Sequence, residues 1–138
     1  MLLTLAEKTR LCATAADSKK AADIVVLDIQ PLSSVADHFL ICSGSSDRQV
    51  KAIADAIREE LSKQGEKPLA IEGYQEGTWV LIDCVDLVIH VFDEETRRFY
   101  DLERLWGRAG RVDIPGLENA PAPYLASPSL FLKEGKLM

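Results

Sequence analysis

Two histidines, three cysteines and a scatter of acidic and hydroxyl side chains bound the chemistry open to this chain of 138 residues. Asp83 and Asp86 are near enough to suggest the carboxylate pair of a hydrolase. Positions three apart in an extended strand face opposite ways, however, which assigns Asp86 to a turn and Asp83 to a strand face. Ser43 or Ser45 with His90 and Asp83 would compose a nucleophilic triad on paper, but the G-x-S-x-G elbow that exposes such a serine is absent. His38 and His90 are too few for a metal site unless carboxylates or Cys42 join them, and hydrogen-bonded structural histidines are the simpler reading. Cys12, Cys42 and Cys84 are widely spaced and contain no C-x-x-C pair, which reads as buried, reduced thiols in a cytoplasmic protein. Gly44-Ser45, between a strand and a helix, is a place where phosphate can rest on free backbone N–H groups. No P-loop lysine follows it, and Glu72 is the lone carboxylate on the next strand. No catalytic residue, cofactor or metal ligand is assigned, and the chain is read as a non-enzyme. The alternative is a degenerate nucleotidyltransferase-like domain that binds nucleotide or phosphate at Gly44 to Asp47.

The elements that must carry these residues follow from periodicity. Thr4, with Glu7 three positions on, forms a capping box for a helix from Leu5 to about Ala21. Short β-branched runs predict strands over Ile24–Ile29 and His38–Ser43, joined as a hairpin. Ser46 caps a second helix, Gln49 closes its capping box, and Val50, Ile53, Ala54, Ile57 and Leu61 recur at helical spacing up to Gly65. A strand at Leu69–Glu72 leads through a glycine-bounded loop to two more strands within Thr78–Phe92. Asp93 and Asp101 then start short helices. The order α-β-β-α-β-β-β-α predicts a mixed α/β (α+β) sheet of roughly five strands packed with helices, the long second helix permitting a crossover. From Arg111 onward four of the six prolines accumulate without amphipathic period. The chain therefore divides into a domain over 1–110 and an extended or flexible tail over 111–138.

Sixteen basic against twenty-two acidic side chains give a net charge of -6. Beyond pairs such as Lys19-Lys20 and Arg97-Arg98 there is no Lys/Arg cluster, so phosphate-driven binding of RNA or DNA is disfavoured. A basic protein partner fits the sign better. No run of about 20 apolar residues is present, so no membrane span is expected.

The run TWVLIDCVDLVIHVF, from Thr78 to Phe92, carries the sharpest signal. Trp79, Leu81 and Asp83 fall on one side of its first strand, and Val80, Ile82 and Cys84 on the other. A turn at Val85-Asp86 brings Leu87, Ile89 and Val91 beside the aliphatic set, and Val88, His90 and Phe92 beside Trp79. One face suits a core. The other mixes an indole, a phenyl ring, an imidazole and a carboxylate. It is either a recognition surface or a second buried layer beneath the helices at Arg97–Trp106, and sequence physics weighs the two equally.

At these residues the chain resembles a known family. EGYQEGTWVLIDCVDLVIHVFDEETRRFYDLERLWGRA, with the earlier ADHFLICSGSSDRQVKAIADAI, is similar to the Iojap-type ribosomal silencing factors (RsfS) over about residues 5–108. Trp79, Asp83, Asp86, Ile89-His90-Val91-Phe92 and the run Arg97 to Trp106 match the family pattern, while Cys84-Val85 stands where Tyr-Gly is more common. The resemblance implies a nucleotidyltransferase-like outline without catalytic carboxylates. It also implies binding to the large ribosomal subunit at its protein fourteen, a steric block to joining of the small subunit, repression of translation, and homodimers. The residues expected to meet the partner are Trp79, Leu81, Asp83, His90 and Phe92, bordered by Tyr100 and Trp106. Trp79 and Phe92 would be desolvated anchors, and Asp83 would pair with a basic side chain.

Overall fold

The computed structural model describes residues 3–117. Helix α1 (Leu5–Ser18) starts on the expected capping box: Thr4 Oγ1 accepts from the Glu7 N–H, and the Glu7 carboxylate accepts from the Thr4 N–H. It stops about a turn before the Ala21 expected from sequence, because Lys20 takes a left-handed backbone (φ 63°). Strand β1 (Ala22–Asp28) opens with a register shift between Ala22 and Val25, where Asp23 is also left-handed. Strand β2 (His38–Gly44) returns antiparallel to it. Helix α2 (Asp47–Lys63) buries Val50, Ile53, Ala54, Ile57 and Leu61.

Its cap corrects one expectation. Ser46 Oγ accepts from the Gln49 N–H, but the Gln49 side chain does not complete a capping box on Ser46. It reaches one residue further back, accepting from both the N–H and the hydroxyl of Ser45, and donates to the Lys19 and Lys20 carbonyls. Gln49 therefore ties the start of α2 to the end of α1, since those C-terminal carbonyls lack helical donors.

Strands β3 (Ala70–Glu72), β4 (Trp79–Asp83) and β5 (Leu87–Asp93) follow, then α3 (Glu94–Tyr100), the single turn α4 (Leu102–Leu105) and β6 (Gly110–Arg111). The sheet order is β3-β4-β5-β2-β1-β6. β2 and β5 run parallel, and the other pairs are antiparallel. The mixed architecture agrees with the sequence, with six strands where about five were expected. The extra one is β6: Gly110 and Arg111 pair with Asp28 and Leu27. Val112, Ile114 and Leu117 continue onto the helix side of the sheet and pack against its core, so the segment read as a tail begins docked. The remainder of that segment, 118–138, lies outside the described residues.

Two apolar layers sandwich the sheet. Under α1 and α2, Val80, Ile82, Leu87, Ile89 and Val91 join Leu40, Cys42, Ile53 and Leu61. On the far side Val25, Leu27, Phe39, Ile41, Val88, Phe92 and Leu102 form a second cluster. Among the described residues no helix is long and apolar enough to cross a membrane.

Candidate interaction site

The hairpin of β4 and β5 has the register its alternation demands: Trp79 faces Phe92, and Leu81 faces His90. The turn between them holds Val85 at φ 74°. This left-handed conformation suits glycine and strains a β-branched residue, and Asp83 Oδ1 supports it by accepting from the Val85 N–H at 2.9 Å.

On the mixed face, burial divides the residues into two groups. Phe92 is fully buried and His90 nearly so, at 4% exposure. Neither side chain is accessible, which corrects the expectation that Phe92 and His90 touch a partner: α3, α4 and Phe39 close over them. Trp79, Leu81, Asp83 and Trp106 are half-buried, and Tyr100 is half-exposed. Trp79 stacks on Phe92 (centroids 4.9 Å apart) and leans on Tyr100 (4.7 Å). Trp106 lies edge-on to Phe39. The arrangement is an aromatic rim seated on a buried aromatic floor.

The Trp79 indole Nε1–H donates to His90 Nδ1 at 3.2 Å. Indole is a donor only, so Nδ1 is the bare nitrogen and the neutral imidazole carries its proton on Nε2. Burial holds the His90 pKa down, from 6.5 to about 4. At neutral pH His90 is an uncharged acceptor that fixes the plane of Trp79.

The corner that carries Tyr100 is anchored from inside. Asp93 caps α3 by accepting from the Thr96 N–H, and Asp101 turns α3 into α4 through a left-handed backbone (φ 52°). Behind this turn the fully buried Arg97 donates to the fully buried Glu103 through Nε (2.9 Å) and Nη2, and to Ser43 Oγ of β2 through Nη1 (2.7 Å). Sequence reasoning missed this clamp. Its members are six and fifty-four residues apart, spacings that carry no helical or strand signal. It also missed Phe99 and Leu105, which are 79% and 73% exposed. Two adjacent aromatics ending a short helix cannot both face the core, and that was the available clue.

The other candidates are engaged elsewhere. Ser43 is buried on Arg97, so no serine–histidine bond forms with His90. Asp86 binds Lys8 Nζ at 2.9 Å on the helix side while Asp83 serves the turn, so the two carboxylates are not paired. His38 Nδ1 meets Thr9 Oγ1 of α1 at 3.0 Å. The Ser45 N–H, the donor a phosphate would need at Gly44-Ser45, already points to Gln49. The cysteines are free and buried. Burial pushes the thiol of Cys42 up to about 12 and that of Cys84 up to about 11, and also raises Cys12, which leaves all three as inert thiols at neutral pH. Among the described residues no group of three or more His, Cys, Asp or Glu is arranged to hold a metal ion.

Gly73 sets the position of the β4 start. Its φ is 80°, and a Cβ there would lie 2.1 Å from the Trp79 carbonyl oxygen. Gly73→Ala is therefore expected to displace the Trp79 backbone and cost roughly 1–3 kcal/mol of stability. Urea unfolding checks this, and an unchanged midpoint would show that the loop absorbs the methyl group.

Fold and site define an α/β domain whose distinctive surface is an aromatic rim on the sheet. The family model "Ribosomal silencing factor during starvation" (RsfS) matches residues 3–129. The chain is 46% identical over 105 residues to the ribosomal silencing factor RsfS of Bacillus subtilis (strain 168), covering 76% of this chain and 89% of that protein. It is 43% identical over 111 residues to RsfS of Halalkalibacterium halodurans, covering 80% and 95%. A crystal structure of a Chromobacterium violaceum protein superposes with a TM-score of 0.75 at 33% identity, covering 86% of this chain and 98% of that one. The chain belongs to the ribosomal silencing factor family.

Proposed function

We propose that this chain binds the large ribosomal subunit at its protein fourteen through the Trp79 face, blocks joining of the small subunit by occupying space, and so represses translation. The observation that carries this is the half-buried Trp79, stacked on Phe92 and oriented by His90 at the open border of the second core. A large aromatic held in one orientation and still reachable from solvent loses little entropy on binding, which is what an interface hot spot requires.

Trp79, Leu81, Asp83, Tyr100 and Trp106 are the contact residues, with Phe92 and His90 acting as their support. The net charge of -6 favours encounter with a basic ribosomal protein. About 800 Å² per partner suffices for a specific contact, and no reaction is needed if the complex outlasts attempts at subunit docking.

Sedimentation with purified large and small subunits tests the reading. The wild-type chain should travel with the large subunit alone. Trp79→Ala, its fold verified by circular dichroism, should bind about 2 kcal/mol more weakly, roughly thirtyfold. Equal affinity of the two would return Trp79 to a packing role and sink the proposal.

A further inference from the structure

Burial sorts the charges of residues 97–111. That stretch holds Arg97, Arg98, Arg104, Arg108 and Arg111 against only Asp101 and Glu103, inside a chain whose total is -6. Glu103 is consumed in the interior by Arg97. Asp101 is half-buried and feels the charge of Arg104 without forming an ion pair with it. At the surface the sign is reversed: Arg98, Arg104 and Arg108 are exposed, and their guanidinium groups make no hydrogen bond or ion pair among the described residues. Glu94 and Glu95 lie one helical turn before Arg98 on α3 and form no ion pair with it among the described residues.

These arginines share one corner. Asp101 N–H bonds to the Arg97 carbonyl, Gly107 N–H to that of Arg104, and Ala109 N–H to that of Trp106, so three turns close within thirteen residues. Phe99 and Leu105 alternate with the arginines along this stretch and are its most exposed large apolar side chains. Phe99 meets Tyr100 edge-on at 5.0 Å, so it continues the aromatic rim outward.

We infer that this corner is an RNA contact: Arg98, Arg104 and Arg108 engage backbone phosphates of a looped or single-stranded segment, and Phe99 offers its ring to an unstacked base. The chemistry favours a nucleotide over an acidic protein. Carboxylates would answer the arginines and leave the exposed Phe99 ring unpartnered, whereas a nucleotide presents anionic phosphate and a flat π surface together. The biological setting rests on the docking proposed above, since ribosomal RNA borders any protein on the subunit surface. The contact would then divide recognition: the Trp79 face takes protein, and the arginine corner takes the adjoining RNA.

Fluorescence anisotropy with a short, labelled, mixed-sequence single-stranded RNA at low salt tests the corner apart from the docking. A chain of net charge -6 has no general affinity for RNA, so binding by the wild type already points to a local patch. Expected are saturable binding that weakens with salt, loss of about tenfold or more in R98A/R104A/R108A with a flatter salt dependence, and about fivefold loss in Phe99→Ala. The single reversal Arg108→Glu guards against misfolding of the triple variant and should also weaken RNA binding. Binding of isolated large-subunit protein fourteen, followed by calorimetry, should be unchanged in the arginine variants. No RNA binding by the wild type, or equal binding by the triple variant, overturns the inference. Loss of protein fourteen binding in the triple variant overturns it too, by making the arginines a protein contact. A Trp79→Ala result that defeats the docking leaves the RNA measurement standing by itself.

Discussion

Replacing Glu103 by alanine is expected to lower the free energy of unfolding by about 3–5 kcal/mol, with a fall in Tm on the order of 15 °C. The carboxylate is fully buried, and it receives Arg97 through two nitrogens. Removing it takes away the carboxylate that receives two nitrogens of a fully buried guanidinium, and much of the desolvation cost of that ion then goes uncompensated. The pair is not a net source of stability merely because it is buried: two charges left water to make it. Joint replacement with apolar groups, Arg97→Met with Glu103→Leu and Ser43→Ala, should therefore recover most of the loss. Urea titrations of wild type, Glu103→Ala and the combined variant decide the matter. An unperturbed midpoint in Glu103→Ala would mean that apolar packing of Leu102 and Phe92 holds the α3–α4 corner unaided. Intermediate behaviour of the combined variant would measure how much the clamp adds in positioning beyond its charge balance.

The second large effect is a loss of stability in acid. The folded pKa of His90 lies near 4, below its ordinary 6.5, because burial penalises the imidazolium. Between these values the unfolded chain binds the proton more readily than the folded one. The contribution is complete above pH 6.5, declines as pH falls, and is gone below about pH 4. Its size is roughly 3 kcal/mol. A further consequence is local. The bare nitrogen that protonation would occupy is Nδ1, the acceptor of the Trp79 indole proton, so acid releases the orientation of Trp79. Unfolding free energies measured from pH 7.5 to pH 4 should fall, and the same series in His90→Gln should be flatter between pH 6.5 and 4. Parallel curves for the two proteins would show that His90 is accessible to protons in the folded state.

The elements of the fold were legible in the sequence wherever a local rule governed them. The Thr4 capping box, the apolar stripe of α2 and the alternation through Trp79–Asp83 and Leu87–Asp93 each express geometry repeated every few residues. Register in the hairpin followed because a slip by one would carry Val80 and Ile82 to the wrong side. The end of α1 and the task of Gln49 were misjudged for one reason. Both depend on how the first helix meets the second, and the amide was free to choose between its own cap and the carbonyls of Lys19 and Lys20. The two-residue β6 carries too little pattern to announce itself, and it exists because β1 has an open edge.

For the site, alternation determined which residues share the mixed face, and the family motif runs through it. Composition could not say which members reach solvent, because Trp79 and Phe92 have the same preference for burial. Only the packing of α3 and α4 over one half of the face separated them, leaving Phe92 dry and Trp79 at the border. The same packing drew Glu103 inward and left Arg98, Arg104 and Arg108 outside, so a stretch of mixed sign in one dimension acquires a single sign at the surface. Periodicity is a property of neighbours along the chain, whereas exposure is decided by whatever distant element arrives to cover them.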